Sequence, residues 1–163
     1  MHKVVVNSTP IISLCHIGKL GLLKELYGEV LIPEAVYREI SAKHNSIAKA
    51  ALDTSLDWIR VCKIQNEIAR IIFKSQLHDG EVEVMILGKE EDAALLIIDD
   101  KNAKNYAKYL KFNVTGTLGV LLKAKRKGLV DCIKPLLDKM VSKGIYLDAE
   151  IRTYCLKEAG ELD

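Results

Sequence analysis

Short β-branched and aliphatic runs alternate along the chain with longer segments whose apolar residues recur every three or four positions. The runs are KVVV, GEVLIP, WIRVCKI, AALLIIDD and FNVTG, and their length and composition predict buried strands. The helical segments begin with PIISLCHIGKLGLLKELY and PEAVYREISAKH, each opened by a proline that a first turn tolerates. IAKAALDTSLDW, EIARIIFKSQL, DGEVEVMILGKEED, DKNAKNYAKYL and TLGVLLKAKRKGL follow, then two C-terminal helices, CIKPLLDKMVSKG and DAEIRTYCLKEAGE. Strand and helix in alternation predict a five-stranded parallel sheet covered on both faces by right-handed crossovers. The segment lengths leave no room for a linker, so residues 1–163 are expected to form one domain.

Parallel strands align their carboxyl ends, so polar residues at those ends meet in space although they lie far apart in sequence. The first strand stops at Asn7-Ser8-Thr9-Pro10. Each of these residues favours a turn, but ligands of open α/β sheets also sit beyond the strand ends, and both readings stand. The fourth strand stops at Asp99-Asp100 and the fifth at Thr115, so three strand ends send Asn, Asp and Thr to one rim. One of the two aspartates can serve as N-cap of the helix that follows; both cannot.

Two helices add carboxylates. In PEAVYREISAK the apolar stripe runs through Ala35, Val36 and Ile40, and Glu39 falls within it. A carboxylate on an inward face is paired, bound to metal, or set at the edge of a cavity. In HDGEVEVMILG, Glu81 shares its face with Val84, Met85 and Gly88, whereas Glu83 shares its face with Leu87 and Glu90. The more apolar grouping favours Glu81 as the inward residue, with Glu83 on the surface and Asp79 as N-cap.

Composition narrows the chemistry. A net charge of +2 gives no global basic field, so contact with nucleic acid must come from local patches. KAKRKG and DDKNAKNYAKYLK supply cations, although a solvated helix face explains such runs equally. TGT after the fifth strand offers backbone N–H groups and the Thr117 hydroxyl at a helix N-terminus. Aromatic residues are not interleaved with the basic ones, so nothing resembles an aromatic-lined single-strand site; no G-x-G-x-x-G follows the first strand, which argues against a dinucleotide binder. The four cysteines lie far apart, and no signal or membrane-spanning run is present; the expectation is a cytoplasmic protein with buried, reduced thiols. Acidic side chains without a His or Cys ligand set select Mg²⁺ or Mn²⁺. Such ions activate water and stabilise phosphodiester oxygens, which points to a nuclease.

The ordered set VVVNSTPIISL, IPEAVYREI, LHDGEVEVMILG, LLIIDDKNAKNYAKYL and VTGTLGVLLKAKRKGL resembles the PIN-domain superfamily up to about Leu156. It is most similar to the branch of uncharacterised prokaryotic PIN-like proteins predicted to bind nucleic acid. The resemblance implies a Rossmann-like α/β/α sandwich with a divalent-metal ribonuclease site. It also implies RNA as substrate, often a toxin role with a small antitoxin, and a homodimer. Carried over residue by residue, the first acidic position falls on Asn7, a departure from the family pattern. The second falls on Glu39, the third on Glu81, and the fourth on Asp100, with Asp99 as the alternative. Ser8, Thr115 and Thr117 match positions that line the same pocket. An amide at Asn7 offers a neutral oxygen where the family has a charge, so the alternative to a ribonuclease is a weak or inactive module that binds nucleic acid or a protein.

Overall fold

The computed structural model describes residues 2–42, 46–73 and 77–162. Its sheet runs in the order β3-β2-β1-β4-β5 and every pairing is parallel. The strands are β1 (Val4–Val6), β2 (Val30–Pro33), β3 (Ile59–Cys62), β4 (Leu95–Ile97) and β5 (Val114–Thr115). The central strands are buried on both faces, as their unbroken apolar runs require: Val4, Val5, Val6, Leu96 and Ile97 are 3% exposed or less.

Among the described residues, ten helices connect and cover the strands. After β1 come α1 (Ser8–His16) and α2 (Gly21–Tyr27), where the sequence pattern predicts one continuous helix. The break falls at Gly18, whose φ of +68° is left-handed backbone that glycine adopts without a steric penalty. Next are α3 (Glu34–Ala42), α4 (Ser46–Asp53), α5 (Glu67–Phe73) and α6 (Asp79–Glu90). Residues 43–44 of the expected second helix and 74–76 of the expected fourth lie outside the described residues. The chain closes with α7 (Lys101–Tyr109), α8 (Thr117–Arg126), α9 (Lys134–Ser142) and α10 (Ala149–Glu158).

Helix α6 departs from expectation on one face. Every residue from Gly80 to Gly88 is buried, Glu83 included at 2% exposure. Glu83 is therefore not a surface residue. One of its oxygens accepts the Ala35 N–H at 3.0 Å, which satisfies a free donor in the first turn of α3. The other is bonded to Arg70 of α5 and lies 3.6 Å from Arg38 of α3. One carboxylate thus ties α3, α5 and α6 together. Glu83→Gln keeps the shape but removes the charge that both arginines face. It is expected to cost about 1–3 kcal/mol and to lower the melting temperature by several degrees in a calorimetric scan.

All four cysteines are free; Cys15 and Cys155 are buried, Cys62 is half-buried and Cys132 exposed, so only two match the expected buried state. Burial pushes the Cys15 thiol up to about 11, which leaves it protonated and unreactive near neutral pH. Among the described residues, no helix is long and apolar enough to cross a membrane.

Candidate functional site

Register fixes the rim. Val6 pairs with Ile97, and Ile97 with Thr115, so Asn7, Ile98 and Gly116 leave the sheet at one level. The Asn7 N–H still bonds to the Ile97 carbonyl at 2.9 Å, which holds its backbone as a last strand residue. Asn7 also sits at the N-cap of α1, where an asparagine oxygen ordinarily accepts a helix N–H. It makes no such bond. Its Oδ1 is buried and has no hydrogen-bond partner, in a residue only 4% exposed. An unpaired buried acceptor costs about 1–3 kcal/mol, so this oxygen is held in place by its surroundings and not by a bond of its own.

Those surroundings form a cleft of about 280 Å³ lined by Asn7, Ser8, Thr9, Glu39, His78 and Glu81. Glu39 arrives from the inward stripe of α3, and its Oε2 accepts the Ser8 hydroxyl at 2.8 Å. Glu81 arrives from the first turn of α6, and its Oε1 accepts the backbone N–H of His78, the N-cap, at 3.1 Å. Asp79 is the first residue of α6 and not its cap. Burial pushes the Glu81 carboxyl above its ordinary range, and the charges of Asp100 and Glu39 push it the same way, against the His78 N–H. Mutual repulsion of this kind is relieved by a cation.

Gly80 makes room for Glu39. A Cβ there would lie 2.2 Å from Glu39 Oε1 and 2.8 Å from its Cδ. Alanine is favoured over glycine within a helix by about 1 kcal/mol, so Gly80→Ala is expected to keep or raise metal-free stability while displacing the Glu39 carboxylate. Loss of the Mn²⁺-induced rise in melting temperature in this variant, without loss of folding, is the expected result.

The aspartate pair divides. Asp100 caps its own helix, its Oδ2 accepting the Ala103 N–H at 2.9 Å. It is exposed and close enough to Glu81 to act on its proton affinity. Asp99 turns the other way, toward β5. Its two oxygens accept the Thr117 N–H and the Thr117 hydroxyl, both at 2.7 Å. Asp100 is thus the N-cap of α7, and Asp99 satisfies a free donor in the first turn of α8, whose N-cap is Gly116. Thr117 spends on Asp99 the groups that the TGT segment offered to a phosphate. Thr115 faces α8, where a Cβ on Gly119 would lie 2.0 Å from its hydroxyl. The arrangement therefore brings together Asn7, Ser8, Glu39 and Glu81, sets Asp100 beside them, and leaves Asp99, Thr115 and Thr117 out of the cleft.

The KAKRKG run serves the fold more than the rim. Lys123 lies over the Tyr27 ring at 4.6 Å, and Lys125 pairs with Glu161 at 2.9 Å, toward the far end of α8. Thr9, part of the polar cluster that ends β1, lines the cleft too, and His78 joins it without a sequence signal, because it sits where a loop meets a helix. Among the described residues, no three His, Cys, Asp or Glu side chains gather as a metal cluster. The cleft instead combines two carboxylates with an amide and a hydroxyl oxygen, donors that hard divalent cations accept together with water. The orphaned Asn7 oxygen fits such an ion.

Residues 3–161 match the family model DUF3368, described as PIN domain. No curated protein matches the chain.

Proposed function

The chain belongs to the PIN-domain family, a nuclease-type fold that generally uses divalent metals, and from that premise we propose that it is a Mg²⁺- or Mn²⁺-dependent endoribonuclease. The observation that carries this reading is the buried Asn7 Oδ1, unpaired and set in a cleft with Glu39 and Glu81. Asn7, Glu39 and Glu81 would hold the ion, and Asp100 would add charge from the rim. When bound, the ion supplies charge neutralisation at the phosphodiester and a more acidic water. Ser8 orients Glu39 through its hydroxyl. The His78 N–H fixes one Glu81 oxygen and leaves the other for the cleft. The same function includes, as finer proposals resting on the family resemblance, a toxin role with a small antitoxin, a homodimer of one-domain chains and a cytoplasmic location.

A second reading has one feature in its favour. Asn7 is neutral, and a site short of one charge suits a module that binds nucleic acid or a protein without cutting. The experiment that separates the two is incubation of the purified chain with labelled single-stranded RNA across Mg²⁺ and Mn²⁺ titrations. Cleavage that stops with EDTA and falls at least 100-fold in Glu39→Gln supports the ribonuclease; a loss of that size is about 2.7 kcal/mol of transition-state stabilisation. RNA bound but uncut by the folded protein supports the module.

A further inference from the structure

A second cavity, of about 320 Å³, lies across Thr9 from the carboxylate cleft; Thr9 lines both. Its walls differ in chemistry. Thr9, Lys104 and the Asp99–Thr117 pair form a polar side, and Met140, Ile145, Leu147 and Ile151 from the α9–α10 region form an apolar one. Tyr146 stands on the rim with 86% of its surface exposed. Lys104 is half-buried, and among the described residues its ammonium makes no direct ion pair or hydrogen bond. It reaches beside Gly116, where a Cβ would lie 2.8 Å from its Nζ. The same Cβ position lies 2.7 Å from Asp99 Oδ1, so Asp99 is a nearby counter-charge, but its two oxygens are bonded to Thr117 and not to Lys104.

A cation beside an apolar slot with an aromatic ring at the mouth matches the two halves of a nucleotide, phosphate and base. We infer that this cavity takes one unpaired nucleotide of single-stranded RNA, its phosphate against Lys104 and its base between Tyr146 and the apolar wall. Its volume lies at the lower end of the ~300–1,000 Å³ range of ligand pockets, so it holds one nucleotide and excludes a duplex. The shared Thr9 means that a strand seated here leads its next phosphodiester into the carboxylate cleft. In that orientation the inference rests on the nuclease reading, but binding by itself does not. The substrate class it names is RNA with an unpaired base beside the cut, because a base enters such a slot only when unpaired.

Anisotropy with a labelled uridine oligomer, single-stranded and as a duplex with its complement, tests this on the full chain in EDTA across a salt titration. The wild type is expected to bind the single strand about tenfold more tightly than the duplex. Tyr146→Ala is expected to bind the single strand about tenfold more weakly, the size of one lost base–aromatic stack. Lys104→Ala is expected to reduce the slope of log affinity against log salt by about 0.7, one phosphate contact on a single strand. Both variants should melt as cooperatively as the wild type, since neither residue is buried in the core. Equal binding of duplex and single strand, or wild-type affinity and salt slope in both variants, overturns the inference. So does a loss of affinity confined to a protein partner, with RNA binding unchanged. RNA held through Lys104 and Tyr146 yet left uncut in Mn²⁺ would remove the nuclease reading and keep this one. RNA cut by both variants at wild-type KM would do the reverse.

Discussion

Replacing Asn7 by Asp is expected to tighten Mn²⁺ binding at least about tenfold and to raise metal-dependent RNA cleavage. The substitution preserves shape and adds one negative charge at a buried oxygen that has no partner. Two unit charges 4 Å apart interact by about 1 kcal/mol even at the dielectric of water, and a divalent ion doubles that, which exceeds the ~1.4 kcal/mol of a tenfold change. A carboxylate can also present two oxygens to the ion, whereas only one terminal atom of the amide can accept. The added charge carries a cost without metal, because it stands with Glu39 and Glu81 in one cleft. Asn7→Asp is therefore expected to melt below the wild type in EDTA and above it in Mn²⁺. Asp100→Asn changes charge in the opposite sense at the rim and is expected to weaken Mn²⁺ binding and cleavage together. Calorimetric titration of the three proteins with Mn²⁺ measures the order directly; a wild type that cuts well and is not improved by Asn7→Asp shows the amide to be a competent ligand.

Saturating Mn²⁺ is expected to raise the melting temperature of the wild type by several degrees. At one hundred times its dissociation constant, a ligand of the folded state adds about 2.7 kcal/mol, and a chain of this size gains roughly 2–4 °C per kcal/mol. Glu81 sets how this varies with pH. Burial first, then the charges of Asp100 and Glu39, raise its folded-state affinity for a proton, so the folded chain binds more protons than the unfolded one between the ordinary and the raised pKa. Metal-free stability thus falls as pH rises through that window, with the full cost present above it. The Mn²⁺ gain runs the other way and fades as the pH falls and Glu81 takes up its proton. Glu81→Gln removes the charge and is expected to melt above the wild type in EDTA near neutral pH, with little response to Mn²⁺. Melting scans at several pH values, with and without Mn²⁺, read both effects.

The parts of this architecture that depend on local periodicity were legible in the sequence. Glu39 announced itself by breaking an apolar stripe, and it does reach the rim from α3. The strand ends were legible because parallel pairing leaves no choice of which ends align. What depends on neighbours distant in sequence was not. Asp99 is captured by Thr117 because β4 and β5 are adjacent, and a linear reading assigns each aspartate only to its own following helix. Glu83 looked exposed because comparing the faces of a helix presumes that one of them meets water. Helix α6 is covered on every side along Gly80–Gly88, and Arg70 and Arg38 meet the charge there. Lys104 was one lysine in a basic run until α9 and α10 closed a cavity over it.

The central claim is that Asn7, Glu39 and Glu81 hold one divalent ion in the cleft at the carboxyl edge of the sheet. Anomalous diffraction from crystals soaked in Mn²⁺ tests it most directly. The account predicts a manganese peak bonded to Asn7 Oδ1 and to carboxylate oxygens of Glu39 and Glu81. A cleft without a peak in crystals that take up manganese elsewhere, or an Asn7 oxygen turned away to a protein donor, would contradict it.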